Sequence, residues 1–315
     1  MRTILVTGAS GVVGKRVVPR LAAGGHHVVS ALREGSAPPE GGSQVRRIGD
    51  IGPSTDWRGA LQGVDTVVHL AARTPGRGVR AEELELVNSL GTERLVQQAT
   101  EAGVRVVVFV SSVFAVVDNS WPEPVDEDTR LSPSSGYGRS KQTAEAHVRG
   151  FAGRGRSAVI LRPPLVHAPD AKGNWRLLQR FAASRIPLPF GSARNRRSVI
   201  SAGHLADAIA AVIERSDTEA VDGTYMVADD PPLSTGDIVR HMRIGMDRGP
   251  GLVSMPVPLM ALPLRIAGKK EIVDSLFGDL LVDSRLFRET FGWNQGTDSS
   301  TEIERSTATF AKLRE

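Results

Sequence analysis

The chain has 315 residues, a formal net charge of +4 and no cysteine. That length suits a large domain with a smaller lobe, and the missing thiols exclude a disulfide framework and cysteine nucleophiles. No run of like charge suggests a nucleic-acid arm, and no stretch of about 18 apolar residues predicts a membrane span.

A strand pattern begins at residue 3, which gives the expectation of no leader peptide and a cytoplasmic protein. Ile4-Leu5-Val6 reads as strand, and Lys15 to Ala23 as a helix ended by Gly24-Gly25. Between them stands Thr7-Gly8-Ala9-Ser10-Gly11-Val12-Val13-Gly14. Placed between strand and helix, this turn reads as a phosphate cradle. Gly8 permits the tight turn, Gly11 the approach of backbone to a pyrophosphate, and Gly14 close packing of helix on strand. The N–H groups and dipole at the helix start favour the anion, so Ser10, Val12 and Val13 join the glycines as expected dinucleotide contacts.

Residues 27–33 read as a second strand. No acid lies from Val28 to Arg33 to bind a ribose 2′-hydroxyl. Arg33 can accommodate a 2′-phosphate, which favours NADP over NAD; Glu34 is the alternative ribose partner. A Gly/Pro/Ser-rich loop at 35–43 precedes a third strand at 45–48. After it, Asp50 and Ile51 flank an adenine ring, or Asp50 caps a helix; both readings stay open. Residues 66–72 read as a fourth strand whose small end, Leu70-Ala71-Ala72, lets a cofactor lie over the strand ends. His69 inside it reads as packed rather than as a ligand or base. A long helix is predicted over 81–102, with Leu84, Val87, Leu95 and Ala99 near one face and Asn88 mid-helix. Residues 105–110 form a fifth strand that delivers Ser111-Ser112. The alternation predicts an α/β fold with a doubly wound parallel sheet.

Ser135 to Lys141 opens the next helix, which runs to about Gly150. Tyr137 and Lys141 are four apart and share a face. A neighbouring ammonium is expected to lower the phenol from its usual value near 10, which makes the pair a proton donor and acceptor. An exposed pair without a role is the alternative. Ser112 can polarise a carbonyl beside Tyr137. Farther on, the apolar stretch 252–268 reads as packed lobe rather than membrane-surface helix, because it lacks a basic face.

Taken in order, TGASGVVG at Thr7–Gly14, GDI at Gly49–Ile51, HLAA at His69–Ala72, SS at Ser111–Ser112, YGRSK at Tyr137–Lys141 and LRPPLV at Leu161–Val166 carry a resemblance. The chain resembles an extended short-chain dehydrogenase/reductase of the NAD-dependent epimerase/dehydratase family, nucleotide-sugar group. The resemblance implies a Rossmann-type sheet with a smaller C-terminal substrate-binding lobe. It implies a catalytic triad of Ser112, Tyr137 and Lys141, and adds Asn88, Pro163 and Val166 to the cofactor contacts. The expected dinucleotide domain is 1–169, with 198–228 returning to it; 170–197 and 229–315 form the lobe. There Asn174, Trp175 and Phe190 are implied contacts of a UDP-sugar, and Arg197 its pyrophosphate ligand. His167 stands where the family commonly has Tyr-Gly-Pro and is a candidate substrate contact. Val116-Val117 replaces the family's Tyr-Gly after the serines. The implied activity is NADPH-dependent reduction of the C4 keto group of a UDP-4-keto-6-deoxy-N-acetylhexosamine. The alternative is a UDP-hexose 4-epimerase that retains NAD. A non-catalytic redox sensor is disfavoured by the intact triad, and a homodimer through the helices near Ala81 and Tyr137 is implied by resemblance alone.

Overall fold

Short apolar runs separated by helices give, in the computed structural model of the chain, a parallel sheet covered on both faces; residues 1–76, 78–216 and 219–313 are described. The strands are β1 (Thr3–Thr7), β2 (His27–Arg33), β3 (Gln44–Ile48), β4 (Thr66–His69), β5 (Val106–Val110) and β6 (Ser157–Arg162), then β7 (Leu165–His167), β8 (Val199–Ser201) and β9 (Gly223–Met226). Among the described residues seven of them form one sheet in the order β3-β2-β1-β4-β5-β6-β9, while β7 and β8 pair separately. Val107 and Val108 in β5 are both buried, as expected for a strand with helices on either side. The strand order reverses between β1 and β4, which opens a crevice at their C-terminal ends.

The helices on and around the sheet are α1 (Gly14–Ala23), α2 (Arg58–Leu61), α3 (Ala81–Leu84), α4 (Gly91–Glu101) and α5 (Gly136–Arg149). The later ones are α6 (Gly173–Ala182), α7 (Ala202–Arg215), α8 (Thr235–Ile244), α9 (Val257–Ile266), α10 (Lys270–Phe277), α11 (Arg285–Phe291) and α12 (Ser299–Lys312). On one sheet face Val17 and Leu21 of α1 pack with Ile209 and Ile213 of α7 and with Phe287 and Phe291 of α11. The other face buries Trp57, Leu95 and Val148. A third cluster, around Trp175, Ile238, Met242 and Ile303, forms the lobe. Because α11 belongs to the first cluster, the stretch 229–315 is shared between lobe and sheet.

Two expectations change. The predicted helix over 81–102 runs without a gap from Ala81 to Glu101, but its stretch Glu85–Leu90 is π-helical, and Asn88 there meets the chain leaving β4. The apolar stretch 252–268 does not pack as a core element. Ala261 is the one buried residue of α9, while Leu259, Leu262 and Ile266 are 62%, 55% and 80% exposed. Its helical contacts are chiefly with α10, and its outer side stands in solvent among the described residues.

The turn after β1 depends on glycine geometry. Gly8 has φ +66°, and a Cβ on Gly14 would lie 2.4 Å from the Gly8 carbonyl oxygen. We expect Gly14→Ala to lower stability by about 1–3 kcal/mol through overpacking, read from urea denaturation, and to weaken dinucleotide binding by displacing the turn.

Candidate active site

Three consecutive residues at the end of β5 meet one face of α5. Residues 137, 141 and 145 recur at the four-residue helical spacing. The Lys141 ammonium donates to the Val110 carbonyl at 2.8 Å. The Ser111 hydroxyl donates to Glu145 Oε1 at 2.7 Å. Ser112 lies beside the phenol of Tyr137 and pulls its pKa down. Ser111 is thus committed beneath the site, and Ser112 is the serine that reaches the tyrosine. Ser112 Oγ also accepts from Phe114 N at 3.2 Å. Ser135 caps α5 by accepting from Gly138 N. Gly138 has no room for a side chain, since a Cβ would sit 2.2 Å from the Phe114 carbonyl oxygen. Helix start and serine loop therefore fit directly together.

Glu145 is fully buried and is held by a bidentate pair with Arg162, at 2.8 and 2.6 Å, and by Arg149 at 2.7 Å. Such a pair has no water to solvate it, so each partner requires the other. Sequence reading passed over both residues, because an acid in a polar helix gives no sign that it is buried.

The electrostatics differ from expectation. Burial pushes the Tyr137 phenol up to about 12, with Ser112 pulling the other way. Burial also pushes the Lys141 ammonium down to about 7, opposed by the Glu145 carboxylate. Lys141 lies over the Phe109 ring at 4.5 Å. It is turned onto Val110 and does not lower the phenol here, because it is itself stripped of water.

Asn88 is buried. Its Oδ1 accepts from Arg73 N at 2.7 Å, and its Nδ2 donates to the Arg73 carbonyl and to Ser140 Oγ. Ser140 Oγ in turn donates to the Tyr137 carbonyl. Asn88 therefore ties the strand end after β4 to α5 rather than presenting its amide to a ligand. His69 is packed as expected, between Thr7 Oγ1 at 2.6 Å and Thr92 Oγ1 at 3.0 Å.

Around the crevice, Ser10 and Gly11 are exposed ahead of α1, and Val12, Val13, Leu70, Ala71 and Ala72 are partly exposed. The N–H groups of Lys15, Arg16 and Val17 bond the carbonyls of Gly11 and Val13, and the positive end of the helix dipole lies at this turn. These features fit a dinucleotide pyrophosphate. Arg33 and Asp50, at neighbouring strand ends, form an exposed pair at 3.3 Å. The acid missing from β2 is thus supplied from beyond β3. Ile51 and Val166 are partly exposed; Pro163 is buried, and its carbonyl accepts from Val113 N.

In the lobe, several expected substrate contacts are engaged elsewhere. Trp175 is buried and stacked on His167 at 4.8 Å between ring centroids. His167 is fully buried and borders a cleft of about 240 Å³ with Arg16, Ser201 and Arg305. In this structure the two rings pack face to face on each other. Arg197 is buried, and its Nη1 donates to the carbonyls of Asn119, Asp274 and Gly278. Its guanidinium first joins loops and has only its remaining donors for a phosphate. Asn174 is exposed, and Phe190 is half-buried against Phe277. Val116 and Val117, in place of Tyr-Gly, are fully buried with Val125, Met226 and Leu280.

The profile of the NAD dependent epimerase/dehydratase family matches residues 4–228. A UDP-glucose 4-epimerase of Vibrio cholerae is 34% identical over 300 residues, covering 93% of this chain and 90% of its own. An N-acetyl-alpha-D-glucosaminyl-diphospho-ditrans,octacis-undecaprenol 4-epimerase of Escherichia coli O157:H7 is 27% identical, with 96% and 95% covered. The solved structure of MoeE5 in complex with UDP-glucose and NAD shares the fold, with a TM-score of 0.77 at 22% identity over 99% of this chain and 100% of that one.

Two outcomes follow from the buried charges. Arg162→Met leaves Glu145 short of its main partner, and we expect a loss of roughly 3–5 kcal/mol in urea denaturation; adding Glu145→Leu should recover much of it. Burial pushes His69 and His167 down to about 3. Their native forms stay neutral while unfolded imidazoles take protons below about 6.5, so this stabilisation is complete above that pH and is lost as pH falls toward 3. Wild type should therefore lose stability more steeply than His167→Leu between about pH 6.5 and 5, by about 1.4 kcal/mol per pH unit.

Proposed function

Because the chain belongs to the NAD dependent epimerase/dehydratase family, we propose that this enzyme is a nucleotide-sugar 4-epimerase acting on a UDP-hexose. The observation that carries the reading is the meeting of Ser112 and Tyr137 over the end of β5, with Lys141 one turn along the same helix face. The Vibrio cholerae relative supports the choice of epimerisation. The cytoplasm is the compartment this reading assigns, and among the described residues no helix is long and apolar enough to cross a membrane.

A bound nicotinamide supplies the hydride acceptor and donor. The turn from Gly8 to Gly14 would hold its pyrophosphate, and Arg33, Asp50 and Ile51 its adenosine end. Tyr137 holds the proton that leaves the sugar's 4-hydroxyl and returns after the keto-sugar has presented its other face. Ser112 hydrogen-bonds the same oxygen and stabilises charge that develops on it. Lys141, held on the Val110 carbonyl one turn along the same face, is a donor for the ribose. Asn174, Phe190 and the remaining donors of Arg197 are the lobe's proposed contacts to the UDP moiety. A homodimer would form through the α4 and α5 faces, where Leu86 stands exposed on the adjoining π turn.

A second reading, NADPH-dependent reduction of a UDP-4-keto-6-deoxy-N-acetylhexosamine, is favoured by Arg33 at the end of β2. Its guanidinium is placed for a 2′-phosphate if it leaves Asp50.

The test is incubation of the purified protein with UDP-glucose, followed by separation of the epimers. We expect UDP-galactose to form without net NADH production, and Tyr137→Phe to slow the reaction by about 10²–10⁴-fold. Inertness toward UDP-hexoses, combined with stoichiometric NADPH oxidation by the 4-keto sugar, would transfer the assignment to the reductase.

A further inference from the structure

The lobe carries a surface that the reaction at the crevice does not use. Along α9, Leu259, Leu262 and Ile266 follow one another at helical spacing and stand in solvent. On α6, Leu177 and Phe181 are also exposed, one turn apart, and Ile186 just beyond is 69% exposed. The two stretches are joined. Leu188 pairs with Leu252, and Phe190 with Ser254. Beneath that seam lies Arg243, buried, whose guanidinium donates to the carbonyls of Ala182, Ser184, Ile186 and Gly251. One arginine therefore fastens the end of α6 to the run that leads into α9. Contiguous apolar surface of this kind marks an interaction site on a folded protein.

Charge decides what covers it. Arg180 and Arg185 flank the α6 side, and Arg265, Lys269 and Lys270 follow the α9 face; all five are exposed. None has an acidic partner among the described residues. A second copy of the chain, joined through a twofold axis, would bring two such basic rims together. A bilayer surface with anionic headgroups complements them, and its acyl boundary accepts the apolar side chains. The ten residues of α9 are too short to span a membrane and suited to lie in the plane of the interface.

We propose that the α6–α9 face docks this enzyme peripherally on an anionic membrane surface, with α9 lying in the headgroup region. The placement is independent of which sugar reaction the crevice performs. It answers the objection that the stretch 252–268 lacks a basic face of its own: beside its Arg265, the cationic side chains come from α6 and from the start of α10.

The experiment is flotation of the full-length protein with vesicles of phosphatidylcholine and phosphatidylglycerol at 3:1, and with pure phosphatidylcholine vesicles. We expect binding to the anionic vesicles that weakens at least tenfold on pure phosphatidylcholine and again at high salt. Lys269→Glu/Lys270→Glu, a surface change, should weaken binding at least tenfold, as should Leu259→Ser/Leu262→Ser. Both variants should keep the wild-type thermal unfolding profile and dinucleotide affinity. Failure of the wild type to float with anionic vesicles overturns the proposal. So does binding that both folded variants retain. So does a sedimentation-velocity result in which the wild type self-associates through this face and Leu259→Ser/Leu262→Ser disperses it, with no vesicle binding.

Discussion

The buried carboxylate of Glu145 is the constraint on which the site depends. It has no exposure to water, and its two oxygens take hydrogens from Ser111, Arg162 and Arg149. A carboxylate in that position tolerates little displacement, because every lost contact leaves charge in a low-dielectric interior. It therefore fixes how α5 is rolled and slid against β5 and β6. Lys141 and Tyr137 lie one and two turns earlier on the same face, so their placement against Val110 and Ser112 follows. Tyr137 and Lys141 are thus positioned by the buried Glu145–Arg162 pair farther along the same face.

The same arrangement stores an electrostatic imbalance. A phenol pushed up to about 12 and an ammonium pushed down to about 7 both suffer from dryness. Each would return toward its ordinary behaviour if charge or hydrogen-bonding groups entered the crevice. Desolvation without full compensation is common where groups are kept ready for proton transfer. Here it follows from the apolar floor, including Phe109 under Lys141 and the Val116–Val117 cluster behind the serine loop.

Much of this architecture was legible in the sequence. The strands, the glycine turn and the tyrosine–lysine helix are written in local periodicity and spacing, which survive without knowledge of contacts. Long-range commitments were hidden. Nothing local shows that Arg197 is tied to Asn119 and to the end of α10, that Trp175 and His167 stack on each other, or that Asp50 comes round to Arg33 from beyond a different strand. The α9 stretch illustrates the opposite failure. Its composition is that of a core helix, and only the absence of neighbours on its outer side separates it from one. Apolar residues state a preference for leaving water, without naming the partner.

The π-helical turn at Glu85–Leu90 bears on how the chain can vary over evolutionary time. A π turn is an α-helix carrying one extra residue, and each residue adds about 100° of rotation. Loss of a residue there would restore a regular helix and swing Asn88 and everything before it around the axis. The Asn88 amide would leave the Arg73 peptide. The length of this segment is thus a fixed quantity, more tightly held than most of its side chains. In related chains, insertions and deletions should fall in the loops on either side and pass over this turn.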